Sequence, residues 1–231
     1  LVGYIVSVVT ISKGLKNFDL HFSVLETQIG SVIVGIICAI IGKILVSKVK
    51  VDNTADKSFH YASVETVFIP MMVFTAAAMS FAHGSNDVAN GIGPLAAVLE
   101  LVHSGKLASK APLPSRVLLA GCVAIVVRLA TFGYKVMQTI GTKITELTPS
   151  RGYCATLAAA ATVVVASGLG MPVSTTHIAV GAVMGVGLAR GIGALDLRVL
   201  GNIVVSWFIT LPVGAILAAI CYYILLMIFG A

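Results

Sequence analysis

Residues 81–94 read FAHGSNDVANGIGP and set Asn86, Asp87 and Asn90 inside an otherwise apolar run of the kind that crosses a lipid bilayer. An aspartate at the centre of a membrane helix costs about 2.5 to 3.5 kcal/mol on insertion scales. Asp87 therefore requires a cation, a proton or a polar cavity, and that requirement restricts the fold more than any other feature of the chain. Gly84, Gly91, Gly93 and Pro94 surround the polar residues, so the helix is expected to be interrupted here. Irregular backbone at membrane depth is tolerated only where protein covers it or where it lines a cavity. The expectation is a broken helix facing a polar cavity.

A membrane setting follows from the rest of the chain. Of 231 residues, 58% are hydrophobic and only 10% charged, a balance that belongs to polytopic membrane proteins and not to globular enzymes. The formal charge of +6 is scattered over short connections between apolar runs. That is the pattern of cytoplasmic Lys and Arg, and it excludes nucleic acid as a partner. Cys38, Cys122, Cys154 and Cys221 lie in apolar segments without paired spacing, which argues against a disulfide framework or a zinc site and reads as small core residues.

Residues 1–12 read as the tail of a membrane helix closed by a turn at 12–18, and 28–47 as the next span, long enough at ~1.5 Å per residue to cross a ~30 Å core. Residues 48–61, KVKVDNTADKSFHY, are the most polar in the chain and, with Lys48, Lys50 and Lys57, read as a cytoplasmic linker. The chain is apolar again over 64–79 and resumes over 92–102, two pieces each short of a full crossing. Such discontinuous helices carry the substrate sites of secondary transporters. A span at 117–140 contains Arg128, which reads either as a pathway residue or, in preference, as one that snorkels or pairs with a neighbouring carbonyl or acid. Residues 148–152 have helix-starting character, and 153–167 are rich in Ala, which suits close helix packing.

A second interruption is expected at 167–177, SGLGMPVSTTH, where Gly168, Gly170 and Pro172 end one helix. Ser174, Thr175 and Thr176 then supply an N-cap and first turn for a helix over 178–188, whose Gly181, Gly185 and Gly187 admit a close neighbour. Residues 199–229 form the last span, with Pro212 as a kink candidate and Trp207 near an end. The fold class is an all-α integral membrane protein of the cell membrane, a polytopic helical bundle with discontinuous or re-entrant helices. Its organisation is membrane helices over 1–47, a linker over 48–63 and a transport domain over 64–231.

The two interruptions suggest complementary chemistry. A helix N-terminus offers free N–H groups and partial positive charge to an oxyanion, and Ser174, Thr175 and Thr176 add hydroxyl donors without a permanent cation, so cargo is released as well as bound. Where the turn is helical, Asn86, Asp87 and Asn90 share a face, and they carry hard oxygen ligands suited to an alkali or alkaline-earth cation and poorly suited to a soft transition metal. A cation there would neutralise Asp87 and draw in the anion, which makes a cation-coupled anion carrier. His83 and His177 lie beside these sites and are expected to make structural hydrogen bonds before acting as proton shuttles or metal ligands.

The stretches FAHGSNDVANGIGPLAAV and, about 80 residues later, GMPVSTTHIAVGAVMGVGLARG closely resemble the second repeat of the inorganic phosphate transporter (PiT) family. YKVMQTIGTKITELTPSRGY is also similar to that family, and residues 1–60 more weakly so. The resemblance implies two inverted repeats of membrane helices, with half-helices converging on the anion, that cotransport inorganic phosphate with sodium or protons and need no other cofactor. It puts Asn86 and Asp87 on the family's Asn-Asp motif, at cation and phosphate, Asn90 in support, and Ser174, Thr175 and Thr176 as donors to phosphate. One copy of each motif is present where the family has two, so the N-terminal half of the same transporter is an expected partner, with the lipid bilayer and a homodimer. Thr156 stands where family members often carry Glu or Gln.

Sulfate is the alternative cargo on the same fold, being tetrahedral as well. Phosphate carries a proton near neutral pH, so an acceptor such as Asp87 beside the anion would favour phosphate. From another class, His83, Ser85 and Asp87, or Ser174 with His177, would make an intramembrane hydrolase, but no nucleophile elbow or zinc-helix motif accompanies them. The chain is therefore read as a transporter and not an enzyme.

Overall fold

Long apolar runs in a bilayer can satisfy their backbone groups only on themselves, which selects helix. The computed structural model describes residues 2–9, 11, 22–48, 62–105 and 114–230, and among them every regular element is helical. The turn expected at 12–18 and nearly all of the linker expected at 48–61 lie outside the described residues.

Helix α1 (Val2–Val9) lies against α2 (Val24–Ser47), and the Tyr4 hydroxyl bonds to Gln28 Oε1. A capping box starts α2: Glu26 N–H donates to Ser23 Oγ at 3.2 Å and Ser23 N–H donates to Glu26 Oε2 at 2.8 Å. Helix α3 (Ala62–Ser104) then runs for 43 residues, or about 64 Å at the helical rise.

That continuity corrects the expected first interruption. Gly84, Gly91, Gly93 and Pro94 are all inside α3, so the segment is neither broken nor re-entrant. Each glycine weakens a helix by about 1 kcal/mol relative to Ala, but in an apolar setting every unmade backbone bond costs several kcal/mol. The helix wins.

Helix α4 (Ser115–Arg128) passes through a π-helical turn at Leu129–Gly133 into α5 (Tyr134–Gln138) and a second such turn at Thr139–Lys143. Helix α6 (Pro149–Gly168) follows, with Thr148 as N-cap and Pro149 at the first helical position. Its N-terminal groups are taken by Glu65 of α3: the Ser150 N–H donates to Oε2 at 2.8 Å, and the Ser150 and Thr148 hydroxyls donate to Oε1 at 2.7 and 2.9 Å.

Helix α6 is the middle of the bundle, packed between α3 and α7 (Thr175–Ala189). Its small residues Ala155, Ala159 and Ala160 are buried with Val163 and Val164, as the Ala-rich sequence predicts. Thr156 belongs to this seam, its hydroxyl 2.6 Å from that of Thr75 on α3. One apolar cluster joins Ile144, Ala155, Val180 and Val183 to Leu200, on the first turn of α8 (Leu197–Phe229). Close approach in α7 falls at Gly187 alone of its three glycines, where a Cβ would stand 2.2 Å from Leu195 Cδ2.

Among the described residues, four helical stretches are long and apolar enough to cross a membrane: Val24–Ser47, Val64–Ser104, Ser115–Lys143 and Leu197–Phe229. Their outward faces are lined by exposed Ile, Leu and Val, a surface suited to lipid and to other membrane helices. Trp207 is not at an end of its span; it packs inward, near the Leu200 cluster. The cysteines are free, and Cys154 and Cys221 are exposed on helix surfaces instead of being core residues.

Candidate functional site

The second interruption is present and has a defined construction. Past the end of α6, Gly170 adopts φ +74°, its N–H donates to the Ser167 carbonyl at 3.1 Å, and the Met171 N–H donates to the Ala166 carbonyl at 2.9 Å. This pair of bonds is a Schellman closure, which needs a residue free of Cβ strain at Gly170. Pro172 blocks resumption of the ladder. Ser174 restarts it as N-cap of α7, with its Oγ accepting the His177 N–H.

Between the two helices the Val173 carbonyl belongs to neither ladder. Asn86 and Asn90, one turn apart on α3, both turn to it: their Nδ2 groups donate to the Val173 oxygen at 2.7 and 2.9 Å. Asn86 is 4% exposed, and its Oδ1 accepts the Ser167 hydroxyl at 3.3 Å. The polar stretch that leaves its own helix unbroken thus braces the interruption in another.

Asp87 lies beside this brace, its side chain 18% exposed. Oδ1 accepts the Thr175 hydroxyl at 2.9 Å. Oδ2 accepts His83 Nε2–H at 3.0 Å and Arg128 Nη1–H at 3.2 Å. One carboxylate therefore ties α3, α4 and α7 together. Its cost of burial is offset by three donors, at least one of them charged.

Of the residues singled out from sequence, Asn86, Asp87, Asn90 and Thr175 meet at this junction. Ser174 adjoins it, with its hydroxyl 2.6 Å from His177 Nδ1. The His177 ring in turn stacks on Trp207 of α8, centroids 4.0 Å apart. Thr176 is half-buried and has no hydrogen-bond partner among the described residues. In this conformation both Asp87 oxygens and Asn86 Oδ1 accept protein donors. Asn90 Oδ1 has no donor among the described residues.

Both histidines make the structural bonds expected of them. Arg128 pairs with an acid, as its apolar surroundings require, but the sequence does not identify that acid as Asp87; nor does it identify the Val173 carbonyl as the partner of the asparagines. The available signal was an intramembrane arginine in a chain with one conspicuous intramembrane aspartate. A shallow cavity of about 760 Å³, lined by Lys143, Thr145, Glu146 and Asp196 among others, contains none of these residues.

Membrane-length helices and a capped helix break with a carboxylate held against it define a polytopic helical membrane protein with a discontinuous helix. The sequence profile of the phosphate transporter family matches residues 2–218, and the chain belongs to that family. It is 48% identical over 228 residues to a protein of Haemophilus influenzae named "Putative phosphate permease", covering 98% of this chain and 54% of that protein. A protein of Pyrococcus horikoshii with a name of the same kind is 44% identical over 216 residues, covering 94% and 51% of the two chains. Among solved structures, "The sodium-dependent phosphate transporter" superposes with a TM-score of 0.80 at 36% identity, over 98% of this chain and 55% of that one. The chain spans about half the length of the curated relatives it matches. These are transporters and permeases, not enzymes, and the hydrolase reading falls with that.

Proposed function

We propose that the protein carries inorganic phosphate across the membrane in symport with sodium. The observation that carries this reading is the hydrogen bond from Thr175 to Asp87, because it joins the first turn of α7 to the carboxylate. The first turn of a helix suits an oxyanion; an intramembrane carboxylate suits a cation. Sodium bound by Asp87, with the amide oxygens of Asn86 and Asn90 turned to it, would remove the negative charge that repels phosphate. Phosphate would then meet the N-terminal N–H groups of α7 and the hydroxyls of Ser174, Thr175 and Thr176, of which Thr176 is already without a protein partner among the described residues.

The likeness to a sodium-dependent phosphate transporter supports sodium in this role. A hard, monovalent cation also matches an all-oxygen donor set. Proton coupling is a second reading, favoured by the 3.0 Å bond between His83 and Asp87, since an imidazole on a carboxylate is a proton-exchanging pair. In either case the other half of the transporter is expected to complete the site.

The test is uptake of radiolabelled phosphate into proteoliposomes under sodium and proton gradients imposed separately, with sulfate as competitor. Sodium-driven uptake that resists sulfate supports the proposal. Uptake driven by protons alone replaces sodium with the second reading, and equal competition by sulfate overturns the choice of anion.

A further inference from the structure

Arg128 stands in an apolar span and reaches a carboxylate on another helix. It closes the last turn of α4, immediately before the π-helical turn at Leu129–Gly133, and its Nη1 lies 3.2 Å from Asp87 Oδ2. The pair is asymmetric: the Arg128 side chain is 59% exposed and that of Asp87 only 18%. The carboxylate is largely enclosed and the guanidinium largely exposed. The groups that face Asp87 from the elements around it are His83 of α3, Thr175 of α7 and Arg128 of α4. Of these only Arg128 carries a permanent charge.

We propose that Arg128 is a tethered counter-cation, which holds Asp87 while no transported cation is bound and is displaced from Oδ2 when one loads. The inference rests on the sodium-coupled reading above. A guanidinium and a sodium ion on the same carboxylate would bring two positive charges within a few ångströms of each other, so loading and the Arg128 bond compete. The exposure of the guanidinium gives it somewhere to go. Thr175 bonds the other oxygen, Oδ1, so displacement of Arg128 from Oδ2 frees α4 from Asp87 without itself breaking the link between α3 and α7. The π-helical turn that follows Arg128 is a place where a helix accommodates such a change of position.

The experiment is a sodium titration of thermal unfolding, made on protein purified from its own membrane, comparing wild type with Arg128→Gln, Arg128→Lys and Asp87→Asn. Arg128→Gln is expected to lower the half-saturating sodium concentration about 2- to 5-fold, the range that an ion pair with one exposed partner supplies. Arg128→Lys, which keeps a positive charge, stays near wild type, and Asp87→Asn loses the response. Arg128→Met repeats the comparison with the apolar stem retained if the Gln variant does not fold. An unchanged or raised sodium requirement in Arg128→Gln or Arg128→Met overturns the proposal, as does a wild type whose unfolding ignores sodium. Phosphate uptake by the same preparations separates the two ideas. A leftward shift in Arg128→Gln beside a wild type that carries no phosphate supports the counter-cation role and overturns the transport reading.

Discussion

If Asn86 and Asn90 brace the helix break, their removal should be more than additive, because they serve one acceptor. Asn86→Ala deletes the 2.7 Å bond to Val173 and the 3.3 Å bond from Ser167 and leaves a small void at a buried position. At about 1 kcal/mol per net hydrogen bond plus lost packing, the expected cost is about 2 kcal/mol. Asn90→Ala deletes one 2.9 Å bond at an exposed residue, for about 0.5 kcal/mol. Each single variant leaves the Val173 carbonyl one donor. The double variant leaves it none of these side-chain donors, which adds the desolvation cost of an orphaned acceptor, about 1 to 2 kcal/mol. The expected total is about 4 kcal/mol, against a sum of singles near 2.5. Reversible denaturation of the four proteins in mixed micelles measures the cycle. Additivity to within about 0.3 kcal/mol would refute a shared acceptor and with it the brace.

Two further outcomes follow from the same geometry. Thr175, at 2% exposure, is the donor to Asp87 Oδ1, so Thr175→Val should destabilise the protein by about 2 kcal/mol in the same denaturation measurement while Thr175→Ser retains most of the bond. At Gly187 an added methyl group would overlap Leu195; Gly187→Ala should cost about 1 to 3 kcal/mol, and shortening Leu195 to Ala in the same protein should recover part of it.

The spans were legible because apolar length alone decides them. The last was expected over 199–229 and is Leu197–Phe229; that around Arg128 was expected over 117–140 and is Ser115–Lys143. The break before Ser174 was legible too, since a glycine with positive φ, a proline and an N-cap act within a few residues and leave the backbone no alternative. The stretch around Asp87 was misread for a physical reason. Its glycines and Pro94 weaken a helix only modestly, and its asparagines looked like residues in need of a local cavity when their partner was a carbonyl more than 80 positions away. Local pattern cannot see that distance. Nor could it pair Arg128 with Asp87, 41 positions apart; only the packing of α4 against α3 does so.

Phosphate uptake by wild type and Asp87→Asn, at a sodium concentration well below half-saturation of the wild type and in proteoliposomes with matched protein content, tests the central claim most directly. Asn keeps the shape of the side chain and its capacity to accept from Thr175, but loses the charge that a cation requires. The account predicts that sodium-driven uptake falls at least about tenfold, the effect of losing some 1.4 kcal/mol of cation interaction, while the protein remains folded. Uptake by Asp87→Asn that matches wild type in rate and in sodium dependence would contradict it.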